Sequence, residues 1–231
     1  MLSDLHSKET VTAENGNFPL RDCALIAIAT GVRAMTLNEL RDGVQHVPPA
    51  SIYHHFWAGL LEPRFEEREY SNDFAAWVHH GLHDEVLAER LALVNPTEFD
   101  AIEDLRQVLL DIIDERLDES ERLPWLVAIN PFEFIRTQTV VFDPRACIDT
   151  PKALARIMPT LSTGSIFYHF IDARRRSPTG SDDFSEWLGV YGDCYADLLQ
   201  RLANIDPYFG SLIDLRLRLA ATLTDCLLDG V

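Results

Sequence analysis

Ser51-Ile52-Tyr53-His54-His55-Phe56 returns in the second half of the chain as Ser165-Ile166-Phe167-Tyr168-His169-Phe170. Working outward, Ser71-Asn72-Asp73-Phe74-Ala75-Ala76-Trp77 follows the first copy, and Ser181-Asp182-Asp183-Phe184-Ser185-Glu186-Trp187 follows the second. Phe18 and Phe132 stand 114 positions apart, and that offset holds without a gap to Phe56 and Phe170. It falls to 110 at Asp73/Asp183 and Trp77/Trp187, where the second linker is shorter. A period this long marks a duplicated structural unit. The expected fold is mainly α, as two tandem pseudo-symmetric helical repeats over residues 18–117 and 132–231. A connector at 118–131 joins them, and residues 1–17 form a flexible N-terminal tail.

The local pattern supplies the elements. Phe132 to Phe142 is dense in β-branched and aromatic residues with alternating polarity, which favours a strand. Leu25 to Ala29 reads as strand or helix, ended by Gly31 in either case. Thr36 and Thr150 suit N-caps, because a threonine oxygen accepts from an otherwise orphaned amide of the first turn. Short helices are expected over Leu37–Val44 and Pro151–Met158, then from each Ser-Ile-aromatic motif, then from Ser71 and Ser181. Further helices span Glu85–Val94 and Tyr195–Ile205, stopped by Pro96 and Pro207. Phe99, Ile102, Leu105, Leu109, Ile112 and Leu117 share one helical face, as do Leu212, Leu215, Leu219 and Leu223.

Composition excludes several classes of function. The 231 residues carry 37 acidic against 20 basic side chains, a formal charge of −17, and 47% are hydrophobic. Such a chain fills a core, and its surface repels phosphate backbones and anionic lipid. Neither a nucleic acid nor a membrane is therefore an expected partner. Arg174-Arg175-Arg176 reads as a solvated helix end. Four scattered cysteines without a C-x-x-C pair read as reduced thiols of a cytoplasmic protein. Residues 1–17 lack a secretory signal, and no apolar run approaches the roughly 20 residues a membrane span needs.

Ser51, His55 and Asp73, with Ser165, His169 and Asp183, are the candidate chemical residues. On a helix Ser51 and His55 share a face, and Asp73 is placed to accept from the imidazole. A hydrolase triad is one reading. The architectural reading is preferred: Ser51 and Asp73 act as caps, the His–Asp bond locks two helices, and no glycine elbow surrounds the serine. Trp77 and Trp187 pair with Phe74 and Phe184 on apolar helix faces, their indole N–H groups donating to loop carbonyls. Arg106 and Arg216, beside Asp104 and Asp214, are expected in ion pairs between helices.

Three metal readings follow. His79 and His83, four apart, have a clip spacing, with Glu66, Glu67 and Asp84 nearby, but the second half has Gly189 and Asp193 there. His54 and His55 point about 100° apart on a helix, which hinders a shared ion. His55 and His169 meeting with Asp73 and Asp183 would form a two-histidine, two-carboxylate cluster. A pocket lined by Tyr53, His54, Trp77, Tyr168 and Trp187 is the small-ligand alternative.

Taken together, the paired Ser-Ile-Tyr-His-His and Ser-Ile-Phe-Tyr-His motifs, each with its Asp-Phe-x-x-Trp, resemble a bacterial and archaeal family catalogued as domain of unknown function 5752. The resemblance runs from about Phe18 to Leu228 and implies no activity or catalytic residue. The sequence therefore points to a non-enzymatic module that binds a protein or assembles with itself and needs no cofactor. A metal-dependent or hydrolytic enzyme and a small-ligand receptor are the alternatives.

Overall fold

The computed structural model describes residues 16–61, 69–208 and 210–228. The tail expected over 1–17 lies, up to residue 15, outside them. The described residues are mainly helical and form two small two-stranded sheets. Its elements begin with strands β1 (Phe18–Pro19) and β2 (Asp22–Ala34). Helices α1 (Leu37–His46), α2 (Pro49–Trp57), α3 (Asp73–Trp77), α4 (Glu85–Ala92) and α5 (Ile102–Glu119) follow. Strands β3 (Phe132–Phe142) and β4 (Cys147–Ile148) come next, then α6 (Pro151–Ile157), α7 (Thr163–Ile166) and α8 (Ala173–Arg176). Helices α9 (Asp183–Gly189), α10 (Ala196–Ala203) and α11 (Leu212–Leu227) complete the order. Among the described residues no helix is long and apolar enough to cross a membrane.

Two compact units emerge, and they do not follow the boundaries of the sequence copies. One comprises Ala24–Val140, and the other the described residues of Met1–Cys23 with those of Val141–Val231. The strand lying before the second set of helices, β3, thus belongs with the first set. The segment before the first set, Phe18 to Cys23, belongs with the second.

In the unit of residues 24–140, β2 pairs with β3, and α5 packs against α1, α2 and α4. Leu105, Leu109, Leu110 and Ile113 of α5 are buried, so the apolar face runs through Ile113 rather than Ile112. Thr36 caps α1 by accepting from Glu39 N. Gly31 does not end β2 as expected. With φ at +81° it takes a conformation open to glycine, and the strand continues to Ala34. The Thr30 hydroxyl accepts from Val32 N and donates to Phe134 O, so the kink leaves those polar groups satisfied. Arg41 joins α1 to Asp114 of α5, and Arg116 of α5 grips Asp84 at the start of α4. Buried Arg106 pairs with Glu103, not Asp104, and donates to Val44 O near the C-terminal end of α1.

In the other unit β1 pairs antiparallel with β4, Phe18 opposite Ile148, and α11 packs on α6, α7 and α10. Thr150 caps α6 through Ala153 N. Arg216 of α11 donates to Leu161 O at 2.8 Å, tying that helix to the turn before α7.

Candidate functional site

The motif residues gather around one backbone segment in each unit. In the unit of residues 24–140, α2 presents Ser51, His54 and His55, while α3 presents Asp73 and Trp77. The segment they hold is the start of β3. Ile135 N–H donates to His55 Nε2 at 3.1 Å, and Ser51 Oγ donates to Ile135 O at 2.8 Å. Both groups of one strand residue are therefore bonded by side chains one helical turn apart. His55 Nδ1 lies 3.0 Å from Asp73 Oδ2, and His54 Nδ1 lies 2.5 Å from Thr137 Oγ1. The Trp77 indole N–H donates to Asn130 O at 2.9 Å. Phe132 fills the apolar side, 4.6 Å from the His55 ring centroid and stacked on Phe74 at 5.1 Å.

The other unit makes the matching contacts with different residues. Arg21 N–H donates to His169 Nε2 at 2.8 Å, and His169 Nδ1 lies 2.7 Å from Asp183 Oδ2. Trp187 N–H donates to Gly16 O at 3.0 Å, and Phe18 lies 4.8 Å from the His169 ring. The segment runs so close to α7 that a Cβ on Gly164 would strike Cys23 O and Asp22. Cys23 Sγ donates to Gly164 O at 3.4 Å. Burial, with Asp172 and Asp22 adding, pushes the Cys23 thiol up to about 12, so it stays protonated and unreactive.

These bonds assign the imidazole tautomer. A nitrogen that accepts from a backbone N–H carries its lone pair, so Nε2 is bare in both histidines and Nδ1–H donates to the aspartate. For His169 the electrostatics agree. Complete burial holds its pKa below the ordinary value, outweighing the opposing pull of Asp183, and the ring is neutral at pH 7.

Several expectations need correction. Ser51 is not an N-cap: α2 begins at Pro49, and the serine reaches across to the strand instead. Asp73 is not a cap either, since Asn72 accepts from Ala75 N and frees the aspartate for His55. In the second copy Asp182 caps α9, and burial raises its carboxyl pKa against two bonds from Ser185. Neither serine completes a triad. Ser51 bonds a carbonyl, Ser165 Oγ lies 3.0 Å from Ser162 Oγ, and neither histidine has a nitrogen left to take their protons.

The triple arginine is not a solvated helix end. Arg176 Nη2 donates to Asp183 Oδ2 and to Tyr168 O, both at 3.1 Å, while its guanidinium lies 4.0 Å over the Tyr168 ring. Arg175 and Arg176 both bond buried Asp172. A cation thus backs the buried His169–Asp183 pair. The signal available in the sequence was the i, i+4 spacing of Asp172 and Arg176.

Tyr53, Tyr168 and Trp187 are buried within their own units, leaving little ring face for a ligand. His54, His55 and Asp73 have donor atoms within 4.8 Å of one another, closer than their angular separation on a helix suggested. Distance alone would admit an ion there. The hydrogen bonds decide otherwise, because both His55 nitrogens are engaged and an ion would displace Ile135 N–H or Asp73. Residues Val78–Leu82 form a π-helical turn that carries His79, and His83, whose N–H bonds both His79 O and Val78 O, ends it in a left-handed conformation (φ 55°). Asp84 is used as the cap of α4 and the partner of Arg116, while Glu66 and Glu67 lie outside the described residues.

Comparison with known proteins extends the picture. The model of a family of unknown function, DUF5752, matches residues 15–224. No curated protein matches the chain. Among solved structures, the chain is similar to "The structure of OrfY from Thermoproteus tenax". That match has a TM-score of 0.77 and 26% identity, over 91% of this chain and 95% of that one.

Proposed function

The chain belongs to this family of unknown function, DUF5752, and on that footing we propose that it is a non-enzymatic helical module that binds a protein partner or assembles with itself. Its body is read as two tandem pseudo-symmetric copies of one unit. The contacts that recur at the sequence offset support that reading: His55–Asp73 with His169–Asp183, and Trp77–Asn130 with Trp187–Gly16. In this reading Ser51, His55, Asp73, His169, Asp183 and the tryptophans are a clasp for a strand, and the working surface lies elsewhere.

One observation carries the proposal. Trp125, Val127 and Ile129 are 82%, 65% and 86% exposed, at alternate positions of a segment with Ala128 buried between them. Ala128 N–H bonds Met35 O at 2.7 Å, which anchors one side of the segment and turns the three apolar side chains outward. Large apolar side chains exposed in a row mark surfaces that other proteins cover. On a chain of charge −17 they also supply attraction where charge supplies repulsion between copies.

Multi-angle light scattering of the full chain tests this, with affinity capture as the second arm. The expected result is a mass above the 26.2 kDa monomer, or a retained partner, that Ile129→Asp abolishes while the helical circular dichroism stays unchanged. A monomer that retains nothing, or an assembly indifferent to Ile129→Asp, overturns the proposal.

A further inference from the structure

We propose that Glu69, His79 and His80 form a binding site for a divalent transition ion of the zinc type, a site independent of the strand clasps and of the apolar row. His79 and His80 stand on the π-helical turn at Val78–Leu82, their ring centroids lie 4.8 Å apart, and both rings face one carboxylate. The Glu69 oxygens stand 4.0 Å from His79 Nε2 and 3.4 Å from His80 Nε2.

Those distances are the argument. A charge-assisted N–H···O bond would close to about 2.7–2.9 Å. Two donors bound to one tetrahedral zinc, each about 2.0–2.1 Å from it, stand about 3.3 Å apart. The His80–Glu69 separation of 3.4 Å is long for a hydrogen bond and near that of donors sharing an ion, the His79–Glu69 separation is longer at 4.0 Å, and the three donor atoms all lie within 4.8 Å of one another. Imidazole and carboxylate are the donors such an ion takes. Tyr70 packs against both rings, at 5.1 and 6.3 Å, and restricts their rotation. His79 Nδ1 is buried without a hydrogen-bond partner, so its ring is not held by a competing bond of the kind that engages His55. With His80 and Glu69 each 62% exposed, water completes the coordination. The excess of negative charge on the chain draws cations toward it. At an offset of 110 the second copy has Thr179, Gly189 and Val190, so one such site is expected per chain.

The test uses untagged full-length protein stripped by chelator and titrated with Zn²⁺ by calorimetry and with Co²⁺ by visible absorption. One equivalent should bind, with the absorption of low-coordinate cobalt. His80→Ala, His79→Ala and Glu69→Gln should each weaken binding at least ten-fold, and His46→Ala, at an exposed position on α1, should not. His80→Ala is the decisive variant, because its exposed ring is not needed for folding. No binding, or binding that survives His80→Ala and Glu69→Gln unchanged, overturns the site.

Discussion

His169 carries two opposite duties at one ring. Its Nε2 accepts from the Arg21 amide and its Nδ1–H donates to Asp183, so only the neutral form satisfies both partners. Burial holds the folded pKa below the usual value of 6.5, which gives the pH dependence its sign. Below about pH 6.5 the unfolded chain takes up a proton that the folded protein refuses. The stability this residue contributes is therefore fully present above that value and is lost as pH falls through the window beneath it. Urea melts from pH 8 to pH 5 should show a steeper loss in the native protein than in His169→Gln, whose side chain does not titrate. His169→Ala should cost about 3 kcal/mol at pH 7.5, because it orphans the part-buried Arg21 amide and removes a partner from buried Asp183. Parallel pH curves for native protein and His169→Gln would remove the titration from the account. The His–Asp pairs were legible in the sequence, since helix spacing and the neighbouring Asp-Phe-x-x-Trp imply them. The task of Ser51 was not, because the carbonyl it bonds lies 84 residues away and local capping rules see only neighbours.

At the scale of elements, alternation of apolar and polar residues identified β3 over Phe132–Phe142. It left β2 undecided, since Leu25 to Ala29 suits a buried strand or a helix equally. Pairing with β3 settled β2, and Gly31 became a kink instead of an end. The π-helical turns at Val78–Leu82 and Phe167–Asp172 have no counterpart in a 3.6-residue pattern. The first carries His79 and His80, and the second carries His169 and Asp172. Gly164 is a point of very close element packing, with Cys23 O and Asp22 against the space a Cβ would take. Gly164→Ala should force the Arg21–Cys23 segment away from α7 at a cost of about 1–3 kcal/mol. The measurable consequence is accelerated alkylation of Cys23, which is buried and held as a thiol in the native protein, relative to exposed Cys147 and Cys194. An alkylation pattern identical to that of the native protein would show that the close approach constrains nothing.

For the whole molecule, composition and motif repetition were enough to reach a mainly helical chain and its family. What they missed is that β3 serves the helices of the first sequence copy, and the Phe18–Cys23 segment those of the second. A pattern read along the chain assigns a strand to the helices that follow it. The physical pairing depends instead on which backbone amide meets a bare Nε2, and that is a property of three-dimensional register. The units of residues 24–140 and of 1–23 with 141–231 record this exchange. Its most direct test is nuclear magnetic resonance on ¹⁵N-labelled full-length protein, reading couplings across N–H···N hydrogen bonds. The account predicts two such couplings, Arg21 amide to His169 Nε2 and Ile135 amide to His55 Nε2, with both rings protonated at Nδ1. Rings protonated at Nε2, or amides of Arg21 and Ile135 that exchange freely with solvent, would contradict it.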